Sequence, residues 1–441
     1  MTGPEKQPGS LVQVVTLGCS KNLVDSEHLS RQLQAAGFDT VHTDAPVKSR
    51  YALINTCGFI HDAKQESVNT ILEFIAARRA GHIEKLYVIG CLSQRYKEEL
   101  QEELPEVDGF FGVNEHPRIL KALGGEYREE LEGERVPATP SHYAYLKISE
   151  GCSRQCAFCA IPLIRGGQRS LSVEKILQEA GYLAEKGVKE LILIAQDLTS
   201  YGKDLYGKKM LPHLLEKLVC IPGLKWIRLQ YTYPAGFPVE EIISLMKEHR
   251  KICRYLDIPV QHSHPDILKR MNRGHSLEEA VMIIKRFREE FPEVSVRSTL
   301  ITGFPGESRA EFLHLKKFVE EMRFDRLGVF TYSHEEHTPA WRNYTDDISL
   351  RTKNYRMQSL MKLQEEISLE KNRLKAGKTV EVLIDGKNDR YYYGRTEYDS
   401  PEVDNEVLIP VDSGNAHPGR FYRVEIRNAG PYELYGQLTG K

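Results

Sequence analysis

Three cysteines fall within one short stretch, EGCSRQCAFCAIPLIRGGQRS, at Cys152, Cys156 and Cys159, and the stretch supplies no fourth. Three thiolates cannot close a four-coordinate site. Structural zinc draws four ligands, often as C-x-x-C pairs, and fewer protein ligands imply an exchangeable one. A cubane four-iron cluster held by three thiolates leaves one iron free for a small molecule, so the open position becomes the working one. Cys19, Cys57 and Cys91 form a second set. Each closes a short apolar, β-branched run: LVQVVTLGC, YALINTCGF and KLYVIGCLS. Cys220 and Cys253, amid apolar neighbours, are expected to be buried and inert.

The elements that would position these thiols can be read from periodicity. The three runs read as parallel strands. Leu29, Leu33 and Ala36 follow the first at helical spacing, and Val68, Leu72, Ile75 and Ala76 follow the second. The segment 11–121 is therefore expected to be an open parallel α/β sheet. Ligands of such sheets bind beyond the strands' carboxyl ends, where Cys19, Cys57 and Cys91 would meet. After the charged stretch GGEYREELEGERVPATPSH, a second βα series begins with YAYLKIS, which enters the cysteine loop. ELILIAQD, WIRLQYTY, YLDIPVQ, VRSTLITG and DRLGVFTYS continue it, alternating with helical patterns. This predicts a partial (β/α) TIM-like barrel of about six strands over 138–372, with its chemistry at the strand carboxyl ends. From 374 to 441 the pattern changes to short strands split by turn residues, predicting a small antiparallel β-barrel.

Composition limits the function classes. The chain has 441 residues, 41% hydrophobic, with a formal net charge of −2, so it has no chain-wide attraction to nucleic acid. The polar opening MTGPEKQPGS and the absence of any long apolar run predict neither signal peptide nor membrane span, hence a cytoplasmic protein. In a reducing compartment, cysteines serve metal or cluster ligation more often than disulfides.

The C-x3-C-x2-C loop, with Phe158 before its third cysteine, resembles the radical S-adenosylmethionine superfamily. LGCSKNLVDSE, INTCGFIHDAKQES, IGCLSQRY, YLKISEGC and RSTLITGFPGE further resemble the methylthiotransferases, and the C-terminal segment resembles their TRAM domain. That resemblance implies two 4Fe-4S clusters, one on each cysteine set, with S-adenosylmethionine bound to the open iron of the loop cluster. It implies reductive cleavage of S-adenosylmethionine, hydrogen removal from an unactivated carbon, and transfer of sulfur and methyl as one group. An electron donor and a sulfur donor are implied as partners. Gly303, Gly306 and Glu307 in TGFPGE, and Gln261 at a strand end, are candidate cosubstrate contacts. IAQD stands where the superfamily has Gly-Gly-Glu, so Gln196 and Asp197 are stand-ins there. Arg165 and Arg169 either face a carboxylate or solvate the loop.

Methylthiotransferases act on a tRNA adenosine or on an aspartate of a small-subunit ribosomal protein. Lys21 and Phe59 depart from the tRNA branch and match the ribosomal-protein branch. From 377 to 441 the chain carries eight Lys and Arg against eleven Asp and Glu, the wrong sign for an RNA-binding barrel. The acidic run EYDSPEVDNE is expected to lie on the surface and to suit a basic ribosomal protein, isolated or in the assembled subunit. The alternatives are a tRNA methylthiotransferase and, in another class, a non-catalytic iron–sulfur carrier or electron-transfer protein.

Overall fold

A computed structural model describes residues 11–439; the polar opening stretch lies outside them. In the N-terminal unit, strands β1 (Leu11–Thr16), β2 (Asp39–His42), β3 (Ser49–Thr56), β4 (Ile83–Gly90) and β5 (Gly109–Phe111) form one all-parallel sheet in the order β2-β1-β3-β4-β5. β1, β3 and β4 are the three cysteine-terminated runs. They occupy the middle of the sheet and are nearly continuously apolar because both faces are covered. Helix α1 (Ser20–Ala35) buries Leu29 and Leu33. Helix α2 (His61–Arg79) buries Ser67, Ile71, Phe74 and Ile75, whereas Leu72, expected on that face, is 49% exposed. β2 and β5 were not legible: one is short and half exposed, the other only three residues long.

The central unit is a six-stranded partial barrel. β6 (Tyr143–Lys147), β9 (Glu190–Ile194) and β10 (Trp226–Leu229) form one parallel set, and β11 (Tyr255–Asp257), β12 (Ser295–Thr302) and β13 (Arg326–Thr331) the other. The sets join where Ile227 bridges Ile252. Between β6 and β9, the two-residue strands β7 (Ser149–Glu150) and β8 (Arg169–Ser170) pair antiparallel and clamp the two ends of the cysteine loop. Helix 350–373 packs against β12 and β13 and leads to the C-terminal unit.

That unit is a closed barrel of β14 (Thr379–Lys387), β15 (Tyr391–Arg395), β16 (Glu406–Pro410), β17 (Phe421–Ala429) and β18 (Glu433–Leu438), in the ring order β14-β15-β16-β18-β17. It is not wholly antiparallel: β16 and β18 run parallel. A ring of five strands cannot reverse direction at every step, so one neighbouring pair must share it.

The acidic run is surface only in part: Glu402, Val403 and Glu406 are exposed, but two of its carboxylates are not. The side chains of Asp399 and Asp404 have no exposure. Asp399 accepts from Arg326 Nε at 2.9 Å, and Asp404 pairs with Arg297 while accepting from Tyr255 Oη at 2.7 Å. Exposed Glu402 still accepts from Tyr143 and Tyr145. Glu190 in β9, fully buried, takes Arg228 Nε at 2.7 Å and Arg395 of β15 at 2.7 Å. The barrel strands carry arginines that the C-terminal unit covers, and buried guanidinium groups require counter-charges. The run supplies them to Arg326 and Arg297, and Glu190 supplies one to Arg228. A Lys swap at Glu402, Asp404 and Glu406 would thus break internal pairs before it altered docking.

Candidate active site between two cysteine sets

Cys19 precedes α1, Cys57 follows β3 and Cys91 opens the helix Cys91–Arg95 after β4. Close backbone approach brings them together. Gly18 has φ +89°, and a Cβ there would stand 2.7 Å from Cys57 Cβ; one on Gly58 would stand 2.8 Å from the Cys91 backbone. Cys57 and Cys91 are buried, while Cys19 is exposed at the mouth. Ser67 Oγ receives the Cys57 N–H at 3.0 Å and fixes that turn.

The loop set is anchored independently. Cys152 N donates to Gly166 O at 3.0 Å, and Ala157 N donates to Met271 O at 2.8 Å. Gly151 (φ +73°) leaves only 2.3 Å between a hypothetical Cβ and Gly167 O. The Arg154 N–H points at Cys152 Sγ (3.4 Å) and Arg273 at Cys156 Sγ (3.4 Å).

Burial pushes the thiols of Cys91 and Cys159 up to about 12 and that of Cys152 up to about 11, and it raises Cys57. Thiolates in such surroundings need positive charge beside them, which a metal centre supplies. Two sets of three soft sulfur donors, with basic side chains directed at their sulfurs, fit iron–sulfur clusters with one open iron each.

Arg165 ties the end of the cysteine loop to the other set. It lies on the helix Ile161–Arg165 leaving the cysteine loop, yet it donates to Asn22 Oδ1 at 2.5 Å and to Cys91 Sγ at 3.5 Å. Its other contacts are Asp25 (3.0 Å) and Glu150 (2.8 Å), carboxylates that Lys147 also pairs with. Burial opposes the Asp25 charge, but Lys147 and Arg165 outweigh it and hold the carboxyl well below its usual range. Arg165 thus faces carboxylates of its own chain, while Arg169 is exposed. Asn22, Asp25, Lys147 and Glu150 escaped the sequence reading because they come from different units and share no motif spacing.

At the barrel strand ends, Gln196 and Gln261 each bury an Oε1 with no hydrogen-bond partner among the described residues. Gln261 also has φ +74°. Such orphaned acceptors suit a polar ligand. Asp197 is already engaged, accepting from Arg154 Nε at 2.8 Å and Ser200 Oγ at 2.6 Å. Glu307 accepts the Gly303 N–H at 2.5 Å and Arg356 at 3.0 Å, closing the turn in which Gly303 and Gly306 have positive φ. The Lys353 stem packs on Gly303 and the Arg270 guanidinium on Gly306, so a side chain at either would have to displace them as well as take up a positive φ. Cys253 is buried as expected, but Cys220 is exposed beyond the amphipathic helix Leu211–Leu218.

Lys21 is buried, and burial lowers its pKa to about 8 against the opposing field of Cys19. Its Nζ sits 3.2 Å from the centroid of the Tyr231 ring.

Family models match three segments: the Radical SAM superfamily at 146–319, the uncharacterized protein family UPF0004 at 11–112 and the TRAM domain at 376–439. A ribosomal protein uS12 methylthiotransferase RimO of Christiangramia forsetii is 51% identical over 426 residues, 97% of this chain and 94% of that protein. The protein of the same name from Bacteroides fragilis is 50% identical over 97% of this chain and 99% of its own length. Among solved structures, the radical S-adenosylmethionine methyltransferase TsrM from Kitasatospora setae aligns with a TM-score of 0.55 at 15% identity, covering 75% of this chain and 74% of that one. The cobalamin-dependent radical enzyme OxsB gives 0.51 at 14% identity, over 82% of this chain and 62% of that one. Both share the fold.

Proposed function

The chain belongs to the ribosomal protein uS12 methylthiotransferases of the radical S-adenosylmethionine superfamily, and on that footing we propose that it transfers a methylthio group to the β-carbon of an aspartate in uS12. The observation that carries the reading is Arg165, which leaves the cysteine loop and joins Glu150, at the loop's entry, to Asn22 and Cys91 of the N-terminal sheet in one buried network. Cys152, Cys156 and Cys159 would hold the 4Fe-4S cluster that binds S-adenosylmethionine, and Cys19, Cys57 and Cys91 a second one. When bound, the first cluster supplies the electron that splits S-adenosylmethionine and the second supplies the sulfur.

The protein's own share is positional. β7 and β8 clamp the loop, and Gly151 lets its two limbs close on each other. Gln196 and Gln261 offer their free acceptors to the polar groups of S-adenosylmethionine, with Gly303, Gly306, Glu307 and Asp197 shaping the surrounding turns. The Asp25–Lys147–Glu150–Arg165 network keeps the N-terminal sheet in register with the barrel. It excludes water where a reactive carbon must meet only its partner.

On this reading the chain divides into 11–121, a methylthiotransferase domain; 138–372, the radical core; and 374–441, a TRAM-like segment whose last two residues lie outside the described ones. Among the described residues no helix is long and apolar enough to cross a membrane, which suits action beside ribosomes in the cytoplasm. An electron donor and a sulfur donor complete the partners.

The test is anaerobic incubation of the reconstituted protein with S-adenosylmethionine, a reductant and either uS12, assembled small subunits or bulk tRNA, followed by mass spectrometry. One added methylthio group on a uS12 aspartate is expected. Modification of tRNA alone would refute the assignment, and cluster spectra without S-adenosylmethionine cleavage would indicate a carrier.

A further inference from the structure

Around Cys19 and the ends of the cysteine loop, three cations have very different company. Lys147 and Arg165 share the carboxylates of Asp25 and Glu150. Lys21, only 6% exposed, has the Tyr231 ring beneath its Nζ, and among the described residues no carboxylate lies within ion-pair distance of it. Aromatic faces attract cations but do not neutralise them. A buried ammonium left in that state is costly unless an anion joins it.

The platform under Lys21 is held on purpose. Tyr231 adopts φ +62°, a conformation that bulky side chains rarely take, and its N–H is tied to Asp257 Oδ2 at 2.9 Å. Strain of this kind persists where the surroundings impose it, often at binding sites. Asp257 is committed to that bond and to the field of Arg297, so it does not serve as the ion-pair partner of Lys21. Tyr231 remains 37% exposed and Cys19, two residues before Lys21, is exposed, so solvent reaches both neighbours of the buried ammonium.

We propose that Lys21 receives the carboxylate of the target aspartate and is the substrate-positioning residue that selects aspartate. This rests on the reading of the target given above. The carbon to be modified is bonded directly to the carboxylate carbon. A cation gripping that carboxylate beside Cys19 therefore also fixes the reacting carbon next to the second cysteine set. A neutral amide at the target would leave the ammonium unpaired.

The experiment uses full-length protein with its iron restored, S-adenosylmethionine bound and no reductant, so that binding is read without turnover. Dissociation constants are measured for uS12 and for uS12 with its target aspartate changed to asparagine, against the parent, Lys21→Met and Lys21→Arg. The parent should favour the aspartate form by about 30-fold or more, the low end for truncating one member of a buried charge pair. Lys21→Met should bind both forms alike, at the parent's asparagine level, and Lys21→Arg should recover most of the preference. Iron content and reductive cleavage of S-adenosylmethionine, measured in parallel, should be unchanged in both variants. Discrimination retained in Lys21→Met, or absent in the parent, overturns the proposal. So does a shift in the reduction potential of the second cluster with uS12 binding unaltered, which would make Lys21 a counter-charge to Cys19. If the parent modifies uS12 while Lys21→Met keeps its discrimination, only this inference falls. If the parent never modifies uS12, both readings fall.

Discussion

Changing Asp404 to asparagine should loosen the junction between the C-terminal barrel and the central barrel, and by an amount that salt does not remove. The Asp404 side chain has no exposure and pairs with Arg297, itself 16% exposed. It also accepts from Tyr255 Oη at 2.7 Å and from Ser400 N at 2.8 Å. Breaking a buried pair outright costs about 3–5 kcal/mol. Both of those donors meet the same oxygen, Oδ2, so the carbonyl oxygen of asparagine can keep them while the charge paired with Arg297 is lost, and the expected loss is about 2–3 kcal/mol. With a urea slope of about 1 kcal/mol/M for a unit this small, the midpoint should fall by roughly 2–3 M. Trp226 reports the junction directly, since its ring meets Phe421 edge-on at 4.8 Å between centroids. The chain has 2 tryptophans, so a Trp341→Phe background isolates the signal. Repeating the titration at ~0.5 M salt, where the Debye length is only a few Å, separates the possibilities. A solvent-facing docking charge loses its effect there and a buried pair does not. A midpoint within experimental error of the parent, or a difference that vanishes at high salt, would refute the counter-charge account.

Acid should act on the same junction. Burial opposes the charges of Asp385 and Asp399, but Arg395 in the first case and Arg326 with Lys375 in the second outweigh it, leaving both carboxyls below their usual range. Depressed carboxyl values stabilise the folded form above the unfolded value of about 4, and this stabilisation is lost as pH falls through the folded values. The urea midpoint should thus drop between pH 5 and pH 3, and Asp385→Asn should flatten that slope. Reconstituted protein should hold about eight iron atoms, and replacing Cys152, Cys156 and Cys159 by alanine should leave about half, as measured by iron and sulfide analysis; about four in the parent would remove the second cluster. Alanine at Cys19, Cys57 and Cys91 should abolish methylthio transfer while 5′-deoxyadenosine is still formed, and loss of that product with the loop cluster intact would show the division of roles to be wrong. Gly58→Ala should also halve the iron, because its methyl would stand 2.8 Å from the Cys91 backbone.

The local code of this chain was strong enough to define its units. Apolar runs ending on cysteine, helical spacing after them and turn residues beyond 374 set out an open sheet, a partial barrel and a small closed barrel. The convergence of Cys19, Cys57 and Cys91 was legible too, because the strand-end rule for parallel sheets is topological and needs no knowledge of side-chain packing. Tertiary structure decided what the charges do. Arg165 left two readings open in the sequence, and only the meeting of the N-terminal sheet with the barrel gives it Asp25, Glu150 and Cys91. The run EYDSPEVDNE looks like solvated surface in one dimension, yet Asp399 and Asp404 neutralise Arg326 and Arg297 inside the junction. Lys21, legible only as a departure from one family branch, becomes an unpaired buried cation once Tyr231 is folded beneath it. Periodicity records which face of an element is dry. A charge's partner is a matter of long-range proximity, which no local spacing encodes.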